Sequence, residues 1–198
     1  LEKVKYEMKR IVGAFNSDRI GIIIFSSEAF MQSPLTFDQN ALNLFIEAMN
    51  TNLVPSAGTD FGPPLRMAVE KLEQDNSRIS QTTSKIIVLI SDGEDFGEET
   101  TEINQQIESK GYKLFTLGVG TEAGGSIRAG SGYRTDRQGN VIVTKLNPKA
   151  LQSLASQTGG RYFEINDSRN DVSRMINTIN GIEGELMDAR LVDVSANK

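Results

Sequence analysis

Two short turns of this chain carry the side chains best suited to chemistry. The first turn is "SAGTDFG", residues 56–62, which contains Thr59 and Asp60. The second is "SDGEDFG", residues 91–97, whose acidic cluster begins at Asp92 and surrounds one glycine. A hydroxyl, a carboxylate and water are the oxygen ligands that a hard divalent cation prefers. Thr59 and Asp92 are therefore the candidate metal ligands of this sequence.

Composition limits the chemistry further. The 198 residues include no histidine and no cysteine, which excludes imidazole bases, thiol nucleophiles, disulfides and zinc fingers. Any metal must therefore be held by oxygen atoms. The formal net charge is −5 and the basic residues are scattered, so nucleic acid is not an expected partner. No apolar run approaches the roughly 18 residues of a membrane-spanning helix, and one compact soluble domain is expected.

Apolar patterning predicts strands that alternate with helices. The runs at residues 20–25 and 86–91 are almost continuously apolar, which is typical of strands buried on both faces. Apolar residues at three- and four-residue steps predict amphipathic helices elsewhere. The other predicted elements are helices at residues 1–15, 38–49, 63–72, 98–110, 147–158 and 168–182, and strands at residues 29–35, 112–120 and 161–165.

This order of elements predicts an α/β fold, a three-layer sandwich with helices on both faces of a mostly parallel sheet. Residues 1–184 form the domain in this interpretation, and residues 185–198 form a C-terminal tail or linker. Residues 121–146 depart from the alternation because they are rich in glycine and then alternate in polarity. The turn residues Gln138, Gly139 and Asn140 predict a β-hairpin insertion there.

The two polar turns are predicted to share one edge of the sheet. Asp92 directly follows a predicted parallel strand, and ligands of open α/β sheets bind beyond the carboxyl ends of the strands. Thr59 and Asp60 precede a helix N-terminus, so they are expected at the same edge. A simpler interpretation is that Asp92 caps its own turn or meets water. In the same interpretation, the negative charges of Glu94 and its acidic neighbours interact favourably with the dipole of the helix that follows.

Several motifs of this sequence resemble those of a known family. "VPSAGTDFGPPL", "KIIVLISDGEDFG" and "KLFTLGVG", in that order, are similar to the von Willebrand factor A-type domain. "TDRQGNVIVTKLN" and "LASQTGGRYF" resemble, more narrowly, the Bat (Bacteroides aerotolerance) family. The resemblance implies a metal-ion-dependent adhesion site that binds Mg²⁺ or Mn²⁺, in which Thr59 and Asp92 match the threonine and the aspartate of the second and third loops.

The first loop of that family site, Asp-x-Ser-x-Ser, has no counterpart in this chain, which begins at the helix that follows it. The resemblance therefore implies an incomplete site that binds metal weakly or not at all. It also implies that a central strand is missing between the strands at residues 20–25 and 86–90. We expect these two strands to pair directly, or a neighbouring chain to donate a strand in a strand-exchanged oligomer, unless the missing strand belongs to a longer parent chain.

The resemblance implies an adhesion-type, non-enzymatic function in a Bat-like protein. A carboxylate of a protein partner would complete the coordination of the cation. In the absence of the cation, the negative charges of Asp60, Glu94 and Asp95 would repel one another. It also implies an inner-membrane protein, anchored by flanking segments outside this chain, with this domain facing the periplasm.

Three alternatives remain. A metal-independent scaffold would use the hairpin insertion around residues 133–143, or an exposed strand edge, as its partner surface. A magnesium-dependent phosphoryl-transfer enzyme is disfavoured, because the chain lacks an Asp-x-Asp motif after its first strand and a phosphate-binding Gly-x-x-x-x-Gly-Lys loop. "GVGTEA", residues 118–123, fits a dinucleotide fingerprint but precedes the predicted hairpin instead of opening a helix.

Overall fold

The computed structural model of the protein describes residues 1–50, 59–75, 84–94, 99–121, 123–126, 128–129, 132–133, 135, 139–141 and 143–182. The helices are α1 (Glu2–Ala14), α2 (Gln39–Ala48), α3 (Gly62–Gln74), α4 (Thr100–Ser109), α5 (Pro148–Gln157) and α6 (residues 172–182). The strands are β1 (Ile20–Phe25), β2 (Ala29–Thr36), β3 (Ile86–Ser91), β4 (Lys113–Val119), β5 (Gly125–Ser126), β6 (Arg128–Ala129), β7 (Gly132–Tyr133), β8 (Val143–Thr144) and β9 (Tyr162–Ile165). The predicted tail, residues 185–198, lies outside the described residues.

The helix starts follow from local side-chain chemistry. The Asp38 carboxylate accepts a hydrogen bond from Ala41 N at 3.0 Å and so caps α2. Asn147 caps α5 in the same way, just ahead of a proline that suits a first helical turn. The final helix begins at residue 172 and not at 168, because the Asn166 side chain accepts from the amides of Ser168 and Arg169 and holds a turn there.

The predicted α/β architecture is confirmed, but its strands form separate sheets. Strands β3, β4 and β9 form a parallel sheet in the order β3-β4-β9, and β1 pairs antiparallel with β2. Among the described residues no ladder joins β1 to β3. The expectation that these two strands pair directly was therefore wrong. The two sheets are held together by helices that pack on both of them.

Helix α1 covers one face of both sheets. Its Met8 and Val12 pack with Ile22 of β1 and with the buried side of α2. Its Ile11 and Phe15 pack against the cluster formed by β3, β4, β9 and α6, which contains the buried Phe115. One amphipathic helix thus buries side chains against both halves, which removes apolar surface from water without a shared strand ladder.

Helix α3 covers the opposite face. Leu65 and Val69 are buried in one cluster with Ile87 and Leu89 of β3. Phe25, the last residue of β1, joins this cluster, and its ring meets the ring of Phe61 edge-on at a centroid distance of 6.0 Å and an angle of 78°. The two sheets therefore lie between α1 on one side and α3 on the other.

Polar contacts fix α1 at its two flanks. Glu7 is 3% exposed, and its carboxylate accepts from Arg10 Nη1 at 2.6 Å and from Asn170 Nδ2, ahead of α6, at 2.7 Å. On the other flank Lys5 Nζ donates to the Glu47 carbonyl oxygen at 3.0 Å. Lys9 donates to the Glu47 carboxylate, and this hydrogen bond and the lysine charge lower the pKa of Glu47. The α1 helix is therefore tied to both halves of the molecule.

Residues 121–146 contain antiparallel pairing, as predicted for this insertion. Strand β5 pairs with β8, β6 pairs with β7, and a bridge joins Thr135 to Val141. The base is closed by the Thr121 carbonyl oxygen, which accepts from the amides of Gly124 and Leu146, each at 3.0 Å. Leu146 is buried in the core, so the base is fixed to the domain.

In the part of the chain that the structure describes, no helix is long and apolar enough to cross a membrane.

Replacing Glu7 by alanine is expected to lower the free energy of unfolding by about 2 kcal/mol, because Arg10 and Asn170 lose a largely buried partner. Glu2, whose side chain is 84% exposed, provides the matched control on the same helix. Glu2→Ala should change this free energy by less than about 0.5 kcal/mol. Urea denaturation measures both values, and equal effects would contradict the role given to Glu7.

Candidate functional site

Asp92 lies immediately after β3 and is half-buried. Its Oδ1 accepts a hydrogen bond from Glu94 N at 3.3 Å, which is the self-capping turn of the simpler interpretation. Its carbonyl oxygen accepts from Asn147 N, at the start of α5, at 2.7 Å. Among the described residues no hydrogen bond reaches Oδ2. Asp92 is thus fixed by its backbone and retains an oxygen for a further ligand.

Gly93 explains why the acidic turn is built around a glycine. Its φ of +84° lies in the left-handed region, which residues with a Cβ rarely adopt. A Cβ at this position would also lie 2.5 Å from the Asn147 carbonyl oxygen and 3.1 Å from Leu151 Cγ. The turn after β3 is therefore pressed against the first turn of α5, and only glycine fits there.

The second polar turn is attached to the end of β1. The amide of Asp60 donates to the Ser26 carbonyl oxygen at 2.9 Å, and Asp60 Oδ1 accepts from Gly62 N at 2.8 Å. Thr59 is half-buried and lies one residue before Asp60. Because Asp60 is held at both its amide and its carboxylate, the chain around Thr59 has a fixed path into α3.

The starts of α3 and α4 lie side by side. A Cβ on Gly62 would lie 3.3 Å from Glu99 Cβ, and Arg66 Nη2 donates to Glu99 Oε2 at 2.5 Å. The hydrogen bond and the charge of Glu99 raise the pKa of Arg66. The contact shown is therefore between the two helix starts, of which α3 follows the turn of Thr59 and α4 follows the turn of Asp92. We call these two turns and the helix starts after them, marked by Asp60, Gly62, Asp92 and Glu99, the rim. Asp95 lies outside the described residues.

A cleft of about 310 Å³ runs beside Asp92, over the carboxyl ends of β3, β4 and β9. It brings two lysines and a second aspartate close to Asp92, namely Lys3, Lys145 and Asp167. Lys3 Nζ donates to the Asn166 carbonyl oxygen at 2.5 Å and lies 3.9 Å from Asp167 Oδ1. Thr59 does not line this cleft. Sequence reasoning missed these charges, because they come from elements that are far apart in the chain.

The oxygen atoms of the described residues are of the type that a hard cation binds, but there are too few of them to fill its coordination sphere. A threonine hydroxyl and a carboxylate are suitable oxygen ligands for Mg²⁺ or Mn²⁺. However, no group of three or more acidic side chains among the described residues could hold a metal ion. Such cations take about six ligands, so the rim alone would leave most positions to water.

The glycines of "GVGTEA" have a packing role. Gly118 lies in β4, where a Cβ would approach the Tyr162 hydroxyl oxygen to 2.6 Å. The chain then reaches the short strand β5, and no helix begins among the described residues of this motif. A dinucleotide fingerprint places its phosphates at a helix N-terminus, so this alternative is not supported.

Comparison with known proteins identifies the family. A family model described as the von Willebrand factor type A domain matches residues 1–178. The chain belongs to this family. A solved structure of BatB from Bacteroides thetaiotaomicron is 30% identical with a TM-score of 0.84, and the match covers 91% of this chain and 86% of that one. The narrower resemblance to Bat proteins is therefore confirmed as well.

Two further proteins are similar to this chain. An aerotolerance-related membrane protein from Bacteroides fragilis is 29% identical with a TM-score of 0.81, over 91% of this chain and 88% of that one. An uncharacterized protein from Borreliella burgdorferi is 22% identical over 84% of this chain and 48% of its own length. This von Willebrand factor A-type chain thus spans about half of that relative.

A more distant structure shares the fold alone. Proximal thread matrix protein 1 from the mussel byssus, solved with a zinc-occupied MIDAS motif, is 16% identical with a TM-score of 0.61. That match covers 89% of this chain and 39% of the mussel protein.

Substituting alanine for Gly93 is expected to lower the free energy of unfolding by about 3 kcal/mol, because a strained φ and a clash with Asn147 act together. Gly111 is the matched control, since it has a φ of +71° and a Cβ added there would have no neighbouring atom within 4 Å. Gly111→Ala should cost only about 1 kcal/mol, the backbone part alone. Equal losses in thermal denaturation would argue against the close contact between the turn and α5.

Proposed function

We propose that this domain is an adhesion-type interaction domain of a Bat-like protein, and that its rim recognises a carboxylate of a protein partner. The observation that supports the proposal is the contact between Gly62, which follows the Thr59 turn, and Glu99, which follows the Asp92 turn, in a member of the von Willebrand factor A family. Fixed oxygen groups at the open end of a sheet are suited to binding and orienting a ligand.

In this proposal Thr59 and Asp92 hold a divalent cation, Mg²⁺ or Mn²⁺, through the hydroxyl and the carboxylate. When bound, the cation supplies positive charge and an open coordination position to the partner's carboxylate. The protein itself orients the two ligands. The bond from Asn147 orients Asp92, and the bond to Ser26 orients the chain next to Thr59. With only these two protein ligands, binding by this chain is expected to be weak.

An enzymatic role is not part of the proposal. A magnesium-dependent phosphoryl-transfer enzyme would need a carboxylate nucleophile beside the metal, at the end of a parallel strand. The turn after β1 contains Glu28, which borders a separate depression against α3 together with Arg66 and Glu70. The likeness to Bat proteins also favours an interaction domain.

The proposed location is the bacterial inner membrane, with this domain facing the periplasm. Support comes from the relative described as an aerotolerance-related membrane protein. In this proposal, segments outside this chain provide the anchor.

A metal-independent scaffold is the second candidate, and one observation favours it. Tyr133 and Val141, both in the insertion, are 52% and 45% exposed, which is high for large apolar residues. Deleting residues 132–144 would abolish partner capture if the insertion is the contact surface. The metal-rim proposal expects capture to change little.

Manganese provides a direct test of the rim. Paramagnetic Mn²⁺ at millimolar concentration should broaden the amide NMR signals of residues 59–60 and 92–94 together, because the cation is proposed to sit between Thr59 and Asp92. Asp92→Asn should shift the concentration needed for half-maximal broadening upward by about tenfold or more, since a charged ligand is lost.

Asp167→Asn serves as the matched control, because Asp167 lines the same cleft but is not a proposed ligand. The Mn²⁺ concentration needed for half-maximal broadening in this variant should stay within about twofold of the value for the unsubstituted chain. Broadening confined to the surroundings of Lys3 and Asp167, or broadening near Asp92 that leaves Thr59 sharp, would overturn the proposed pair of ligands.

A further inference from the structure

We infer that helices α4 and α5 enclose an internal site for one ordered water molecule, which Thr100 and Asn104 hold and which ties the two helices together beneath the Asp92 turn. The inference does not depend on the metal proposed for the rim. It rests on two buried polar atoms, on their spacing along α4, and on the contacts that α4 and α5 make with each other and with that turn.

The two buried polar atoms lie on α4. Thr100, the first residue of this helix, is 7% exposed, and Asn104 is 0% exposed. In the part of the chain that the structure describes, Thr100 Oγ1 and Asn104 Oδ1 have no hydrogen-bond partner. Leaving a buried polar atom without a hydrogen bond is costly, so folded proteins satisfy almost all such atoms with protein groups or with ordered water. These two oxygens therefore indicate a place where a small polar molecule binds.

The contacts of the Asn104 amide group with α5 fix its orientation. Its Nδ2 donates to the Leu154 carbonyl oxygen at 3.2 Å and to Gln157 Oε1 at 2.5 Å. Because both of these acceptors are oxygen atoms, the nitrogen and not the oxygen of the amide must face them. Asn104 Oδ1 is on the other side of the planar amide and requires a donor of its own.

The spacing of the two residues suits one bridging water molecule. Residues four apart on a helix share a face, with their Cβ atoms about 5–6 Å from each other. Thr100 and Asn104 have this spacing and form no direct side-chain hydrogen bond with each other. Two hydrogen bonds of about 2.8 Å each allow one water to span oxygens up to about 5.6 Å apart. The first-turn amides of an α-helix have no intrahelical acceptor, so one of them can donate a third hydrogen bond to this water.

The site lies close to the part of α5 that supports the Asp92 turn. Gly93 of that turn packs against α5, because a Cβ on Gly93 would lie 3.1 Å from Leu151 Cγ. Leu154, about one helical turn later on α5, is the residue that accepts from Asn104. Since α4 follows the same turn in the chain, both helices leave the Asp92 turn side by side. A water held by Thr100 and Asn104 therefore joins the two helices directly beneath it.

The chemistry of the site favours water over an ion or a larger ligand. A threonine hydroxyl and an amide oxygen are both neutral, so a bound ion would be buried without a compensating charge. The neighbouring Ile103 and Ile107 of α4 are buried and apolar, which leaves polar contacts only at the two oxygens. Water offers two donors and two acceptors in the smallest volume and can therefore satisfy both atoms at once.

The test compares Thr100→Val with Thr101→Val. Valine keeps the shape of threonine without the hydroxyl, and Thr101 is the exposed neighbour that serves as the matched control. Oxygen-17 relaxation dispersion of the solvent counts long-lived internal waters, and this count should fall by one in Thr100→Val and stay the same in Thr101→Val. The amide of Asn147 donates to the Asp92 carbonyl oxygen at 2.7 Å. Its hydrogen exchange should become about threefold faster or more in Thr100→Val alone, because the link beneath the turn is lost.

A crystal structure of the unsubstituted chain makes the test independent of how the variants fold. One ordered water oxygen within about 3.2 Å of both Thr100 Oγ1 and Asn104 Oδ1 supports the inference. A direct hydrogen bond between these two atoms, or a protein group bonded to each of them in place of water, would overturn it. An unchanged count of internal waters in Thr100→Val would overturn it as well. Equal exchange of the Asn147 amide in all three chains would contradict the link between the water and the Asp92 turn.

Discussion

The structure depends on two helices, α1 and α3, that each pack against both sheets. A parallel sheet is normally held across its width by hydrogen bonds between neighbouring strands. Here, in the described residues, β1 and β3 share no such bonds, and α1 and α3 instead bury apolar side chains against both halves. Because this packing is not directional, it can hold the two sheets together without completing the backbone pairing between them.

The polar contacts of α1 give this packing a defined position. An apolar stripe alone allows a helix to slide or rotate, whereas a buried carboxylate with two partners permits one placement. Glu7 provides this constraint on the side of α6, and Lys5 and Lys9 provide it on the side of α2. Lys3, on the same helix, borders the cleft beside Asp92. The position of α1 therefore also determines the charge environment of the rim.

Much of the fold could be predicted from local patterns in the sequence. The predicted helix over residues 1–15 and the strand over residues 86–91 agree with α1 and β3, since periodicity and continuous apolarity are local properties. The pairing of strands could not be predicted in this way. The apolar run at residues 20–25 indicates burial but not whether a strand or a helix covers its edge. Likewise, Lys3, Lys145 and Asp167 meet only after folding, so no local motif reveals the cleft. The metal roles of Thr59 and Asp92 stay predictions from motif and order.

The closed base of the insertion has a consequence for how this domain can diversify. The carbonyl oxygen of Thr121 accepts from both Gly124 and Leu146, and the latter side chain is buried in the core. These bonds hold both ends of the segment to the domain at one point. Related proteins can therefore acquire longer, shorter or differently charged versions of this arm while the framework beneath it keeps its packing. Such an arm is a suitable place for evolution to vary recognition at little cost to folding.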